Sequence, residues 1–531
     1  MNIMIQPSSI PEEEKTPLVI QLLEIIRQQA EEIQRLKDEI ARLKGHPGRP
    51  NIRPSRLEKP KEEDTKEEEG EPNSKRPGSA KRRKTEALEI HETLPIAPEA
   101  IPEGSLFKGY TDYTVQDLRI QPHNIRYRLE KWETPEGGVV VGQLPDSVKD
   151  GHFGPTLVGF ILYQYYHGHV TQPLLLEQLW EYGIDISAGQ LSRLLTENKE
   201  SFHAEKDALL ATGLEVSRYV QVDDTGARHQ GRNGYCTHIG NEWFSWFEST
   251  ESKSRLNFLK LLRAGRAEYV LNPDALRYME GQGLAQKWLA VLHGQGERLF
   301  EDERVWELFL ESEGMVGERV RQIVTEGALL GSVIHHGIAP DLVIISDDAG
   351  QFNVLLHALC WVHAERTLDK IVAYTEQERQ DLESIQERLW PLYRDLKGYK
   401  DAPDDQKKAA LESRFDALFT TRTHSESLNS ALQRIHRNKA ELLLVLTRPE
   451  IPLHNNLSEN AIREYVKRRK ISGSTRSEAG RRCRDTFTSL KKSCRKLGVS
   501  FWQYLLDRLG QKGEIPRLSE LIRQQAVSPG G

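Results

Sequence analysis

Two short β-branched runs, SRYVQVDD at 217–224 and DLVIISDD at 341–348, each end in paired aspartates. This repeated ending most constrains the fold. Apolar runs of this length predict buried strands. A carboxylate at the end of a buried strand is costly unless solvent or a cation receives it. Between the two runs, GYCTHIG and EWFSWFEST alternate as further strands, and KSRLNFLKLLRA has helical spacing. Trp243, Phe244, Trp246 and Phe247 fit the two faces of one core strand. In a strand successive side chains alternate faces, so only one aspartate of each pair can serve a given side.

A third carboxylate comes much later, in HNNLSENAIREYVKRRK at 454–470. The Asn-rich start predicts a turn and a helix N-cap. Glu459 then precedes four consecutive cations, Lys467 to Lys470. Glu464 lies about 140° further round such a helix and should point elsewhere. From Arg463 to Lys496 there are 13 Lys or Arg against 3 acids, an excess that favours phosphate binding over a solvated face. Three carboxylates from separate elements can hold two Mg²⁺ or Mn²⁺ ions. The four cysteines, at 236, 360, 483 and 494, form no Cys-x-x-Cys pair, so neither a zinc ribbon nor a disulfide framework is expected. Cys360 and His363 form a C-x-x-H without a second pair, which is read as packing. The order strand-Asp, two strands, helix, strand-Asp, helix-Glu is that of an RNase H-like α/β core.

Other segments are organised around that core. Val19, Ile26, Ile33 and Ile40 fall seven apart, with Leu22, Gln29, Leu36 and Leu43 on the companion seam, so 18–44 is expected to be a parallel two-stranded coiled coil and the chain a homodimer. Residues 45–104 read as a charged, disordered linker, with the acidic block KEEDTKEEEGE and the basic block KRPGSAKRRK. Residues 105–150 read as a small β-containing module. Within 151–205, two short helical patterns joined at 183–186 have the layout of a helix-turn-helix, with Ser187 as N-cap of the second helix. Gln190, Ser192 and Arg193 would face outward toward DNA. Residues 215–262 and 339–374 are assigned to the core. Residues 265–338 are an insertion of unread role, 375–450 a helical insertion, and 451–510 the Glu helix with its basic C-terminal region. The net charge of -6 and mean hydropathy of -0.59 fit a soluble chain. No membrane-spanning run or secretory leader is read, and a reducing cytoplasm is expected.

At the level of motifs the sequence resembles the IS66-type insertion-sequence transposases, which are DDE enzymes. VDDT at 222–225, SDDAGQF at 346–352, CWVHAER at 360–366 and HNNLSENAIR at 454–463 carry the likeness, with RRKISGSTRSEAGRR and SLKKSCRKLGVSFWQYL behind them. The resemblance covers most of 155–510 and implies metal-dependent cleavage and transfer of DNA strands, in a bacterial, nucleoid-associated setting. It implies Asp223, Asp347 and Glu459 as the metal-holding catalytic triad, with Asp224 and Asp348 as rivals. Expected DNA contacts are Gln190, Arg193, Arg463, Lys467, Arg468, Arg469, Lys470, Arg476, Arg481 and Arg482. Accessory transposition proteins are plausible partners. The chain departs from the family in having no cysteine before 236, and therefore no Cys-rich zinc segment, and in the long interval of 124 positions from Asp223 to Asp347. The competing classes are a non-catalytic DNA-binding regulator, such as a domesticated transposase, and a structure-specific nuclease on the same fold.

Overall fold

The computed structural model describes residues 89–107, 110, 113–148 and 151–527. The expected coiled coil and the 45–88 part of the linker lie outside the described residues. From 89 to 130 the described chain forms neither helix nor strand. The expected β-module is reduced to one hairpin, β1 (Lys131–Glu133) with β2 (Val139–Val141), whose six residues are all exposed.

The helical region begins with α1 (Pro155–Leu162), started by proline at its first position, and runs on through one π-helical turn at Tyr163–His167. Next come α2 (Gln172–Glu181), α3 (Ala188–Thr196) and the long α4 (Glu200–Val216). Ser187 does cap α3: its hydroxyl accepts from the Gln190 N–H, while the Gln190 side chain accepts from the Ser187 N–H.

The strands β3 (Tyr219–Gly226), β4 (Tyr235–Gly240) and β5 (Ser245–Thr250) form an antiparallel meander followed by α5 (Arg255–Leu262). The first insertion holds β6 (Tyr269–Leu271), α6 (Pro273–Gly281), α7 (Gln286–Gly294), β7 (Arg298–Phe300), α8 (Glu303–Ser312) and α9 (Glu318–His335). Its two strands pair only with each other. The chain then returns to the main sheet with β8 (Val343–Ser346) and β9 (Leu356–Leu359), followed by α10 (Trp361–Asp369). The second insertion is helical: α11 (Glu376–Tyr399), α12 (Asp405–Phe419), α13 (Glu426–Arg437) and α14 (Lys439–Leu442). The last elements are α15 (Asn456–Ser472), α16 (Glu478–Lys496), α17 (Phe501–Gly510) and α18 (Leu518–Val527).

The main sheet has the order β5-β4-β3-β8-β9, with β3, β8 and β9 parallel. Val220 and Val222 of β3 enter the large apolar core. The alternate residue Gln221 turns the other way and accepts from the Leu457 N–H at 3.1 Å. On that second face α15 packs Ala461, Ile462 and Tyr465 against Cys236 and Phe247.

The free edge of β5 is closed by side chains. Asp485, Ser489 and Ser493 recur every fourth residue on α16 and so share one face. They accept the N–H groups of Ser249, Phe247 and Ser245 at 2.8, 2.9 and 3.0 Å. An edge strand that would otherwise template pairing with another chain is thereby occupied. Gly213 lets α4 approach the same sheet: a Cβ there would stand 2.5 Å from the Phe244 ring.

A candidate metal centre between β3, β8 and α15

Asp223 and Asp347 reach one place because their strands are neighbours in register. Gln221 pairs with Ile345 across the parallel β3–β8 ladder, and each aspartate lies two residues further on. Asp223 therefore shares the face of Gln221, toward α15. The second aspartate of each pair is engaged elsewhere. Asp224 accepts from the Gln351 amide at 2.8 Å. Asp348 accepts from Arg434 Nε at 2.9 Å and from the Asn438 amide at 3.3 Å.

Glu459 arrives on the first turn of α15, and Asn455 fixes where that turn sits. The sequence predicts an N-cap here. Asn455 does occupy the cap position, but its side chain makes no capping bond. Its amide instead donates to the carbonyl of Val222, next to Asp223, at 2.7 Å. Its backbone N–H donates to Cys360 Sγ at 3.2 Å, and its carbonyl accepts from the Glu459 N–H at 3.1 Å. The buried ring of His238 on β4 holds the adjacent Ser458 hydroxyl at 2.6 Å.

The electrostatics report the crowding. Burial pushes the Asp223 carboxyl up to about 7, repulsion from Asp347, Asp224 and Glu459 adds to it, and the Asp224 N–H bond opposes it. Around Glu459 stand Arg366 at 3.3 Å, Arg463 at 3.3 Å and His363 at 3.8 Å. Asp223 on β3, Asp347 just past β8 and Glu459 on α15 act on one another electrostatically and carry the oxygen donors that hard divalent cations take, while the group gathered within 4.8 Å among the described residues is Cys360, His363 and Glu459. Glu464 points away and is paired with Lys491 and Lys492. Burial alone would raise it, but the two ammonium groups hold it down at about 2.

The basic run is divided. Arg463, Lys467, Lys470, Arg476 and Arg482 are exposed. Arg468 departs from the expectation: it is 4% exposed, its guanidinium lies 4.0 Å over the Tyr165 ring, and it donates to the Tyr165 carbonyl at 2.6 Å. No face of it is left for a phosphate. Arg469 is half-buried and donates to the Gly226 carbonyl, and Arg481 pairs with Glu478 at 2.9 Å. Arg484, Lys491 and Lys496 are buried or nearly so and hold backbone carbonyls. In the helical region, Arg193 is exposed on α3, while the carbonyl of the Gln190 side chain is spent on the capping box.

Sequence reasoning missed Gln351, Arg434 and Arg366, which sort the carboxylates by partner. Gln351 and Arg366 lie inside the SDDAGQF and CWVHAER motifs without having been given a role, and Arg434 lies in no motif. It also read Cys360 and His363 as packing. Both line the cleft that holds Asp347 and Asp348, and they lie beside Glu459.

Residues 343–482, which hold β8, the Cys360–Arg366 segment, Glu459 and the whole of α15, match the model of the transposase IS66 family. A curated relative, the uncharacterized protein y4jO of Sinorhizobium fredii (strain NBRC 101917 / NGR234), is 44% identical over 321 residues, covering 60% of this chain and all of the relative. Among the described residues no helix is long and apolar enough to cross a membrane. With the family match spanning Asp347 and Glu459, and the relative covered over its whole length, the chain belongs to the IS66 transposase family.

Proposed function

We propose that the protein is a DNA transposase that cleaves and transfers strands at the ends of its element, with Asp223, Asp347 and Glu459 as its metal-holding residues. One observation carries this reading. Burial, with repulsion from Asp347 at the end of the neighbouring strand and from Glu459 on a distant helix, pushes the Asp223 carboxyl up to about 7. The sheet order, with three parallel and two antiparallel strands, supports an RNase H-like core. Two Mg²⁺ or Mn²⁺ ions held there would activate a water or 3′-hydroxyl and stabilise the leaving oxygen of a phosphodiester.

The chain's own residues supply position and charge. Asn455 and His238 fix the first turn of α15 against β3 and β4, so Glu459 cannot drift from Asp223. Arg434 and Gln351 occupy Asp348 and Asp224, which leaves Asp223 and Asp347 for the metal-holding role. Exposed Arg463, Lys467, Lys470, Arg476 and Arg482 are suited to the phosphates of a bound strand. Arg193 on α3 is suited to contact with the element's end. Pairing of two chains through 18–44 rests on the heptad alone.

The test incubates purified protein with its flanking terminal DNA and Mn²⁺, beside Asp223→Asn, and maps the cut ends. Cuts at the element boundary only with native aspartate and metal support the reading. Equal cutting by the mutant overturns it.

A further inference from the structure

We infer that Cys360, His363 and Glu459 form a second metal site, selective for a thiophilic divalent cation of the zinc class, whose occupancy withdraws Glu459 from the oxygen cluster. One ligand atom from each residue lies within 4.8 Å of the others. Local structure makes the first two converge. Cys360 is the N-cap of α10 and His363 its third residue, so the side chains stand three apart on one helical face. The third donor comes from α15, which the Asn455 N–H ties to Cys360 Sγ at 3.2 Å.

The imidazole is poised and underused. His363 Nε2 stands 3.8 Å from Glu459 Oε1, and its Nδ1 is buried without a hydrogen-bond partner. Cys360 is buried, a setting in which a free thiol keeps its proton and stays unreactive. A zinc-class ion would expel that proton to solvent and take sulfur, nitrogen and carboxylate oxygen as ligands, with a fourth position for water. Thiolate and carboxylate together neutralise the ion. Mg²⁺ and Mn²⁺ prefer oxygen donors, so the two classes of ion separate by ligand chemistry while competing for Glu459.

The inference shares Glu459 with the catalytic reading, so its test reads ligation directly. Full-length protein freed of metal is titrated with Co²⁺, and the sulfur-to-cobalt charge-transfer band is followed. The band should appear in the native protein and vanish in Cys360→Ser. His363→Ala should weaken Co²⁺ affinity at least about tenfold. Asp347→Asn should keep the band. A native protein without the band, or a band unchanged in Cys360→Ser, overturns the inference. Should circular dichroism show that Cys360→Ser fails to fold, His363→Ala decides, and unchanged affinity there overturns it equally. Low Zn²⁺ should also inhibit Mg²⁺-dependent cleavage in the native protein. If Asp223→Asn cleaves normally, the catalytic reading falls while the band still judges this one.

Discussion

Helices α15 and α16 come from one basic stretch and divide their charges differently: α15 turns Arg468 and Arg469 to carbonyls and α16 leaves Arg482 exposed, but most cations of α15 face solvent and most of α16 do not. On α15 the cations at 463, 467 and 470 face solvent beside the carboxylate cluster. On α16 Arg484, Lys491 and Lys496 turn inward to backbone carbonyls or to Glu464, and a row of Asp485, Ser489 and Ser493 closes the β5 edge. The difference lies in what each helix covers. The first turn of α15 ends at the carboxylate cluster. α16 lies along a strand edge, where every buried polar group needs a partner. A count of charges cannot tell the two apart, because net charge says nothing about which residues are consumed by the fold.

The sharpest way to break this contrast is to remove the acids at the head of α15 and on the strands. Asp223→Asn, Asp347→Asn or Glu459→Gln should lower cleavage by on the order of 10³-fold or more and leave gel-shift binding to end DNA unchanged. Asp224→Asn should cost less than about tenfold, because Gln351 engages that side chain outside the cluster. Equal losses at Asp223 and Asp224 would remove the distinction between the two faces of β3.

On α16 the expected effect is on stability. Glu464→Gln, on α15, removes the counter-ion of the buried Lys491 on α16, which keeps its bond to the Tyr166 carbonyl, and should cost about 2–3 kcal/mol in urea unfolding at neutral pH. The pH sign follows from its depressed carboxyl, held at about 2 against an ordinary 4.5. Its contribution is complete above about 4.5 and is lost as pH falls toward about 2, so native and mutant stabilities should converge over that window. A gap that stays constant would show that Glu464 acts through packing alone.

Ser489→Ala should cost about 1–2 kcal/mol, since it leaves the Phe247 N–H buried and unpaired. Loss of less than about 0.5 kcal/mol would mean that the edge is not sealed by this row. The smallest effect belongs to the exposed cations. Lys467→Gln and Lys470→Gln should each weaken end binding about equally across DNA sequences and reduce the log–log salt slope by about 1. Lys492→Gln, paired with Glu464, should leave that slope unchanged. A change of slope there would erase the division between the helices.

Much of the core was legible. The β-branched runs became β3 and β8, the alternating runs became β4 and β5, and strand alternation predicted that each aspartate pair splits. The heading of Glu464 followed from helical geometry. What stayed hidden depends on partners far away in sequence. The Asn455 side chain abandons the cap for a strand carbonyl 233 residues earlier. Arg468 is buried because Tyr165, 303 residues upstream, offers a ring and a carbonyl. Cys360 and His363 lacked a third donor until α15 brought Glu459 beside them. Local periodicity encodes which face a residue takes, not what waits opposite.

The α16 row has a consequence for how the protein is made. Ser493 reaches a strand 248 residues behind it, so on the ribosome β5 emerges long before the helix that covers it. Through that interval the nascent sheet carries bare N–H groups able to pair with a neighbouring chain. The glutamate of the cluster is also still unmade. A stalled or truncated product would therefore be adhesive, and the finished polypeptide would cover that edge and complete the carboxylate cluster within the same few dozen residues of synthesis.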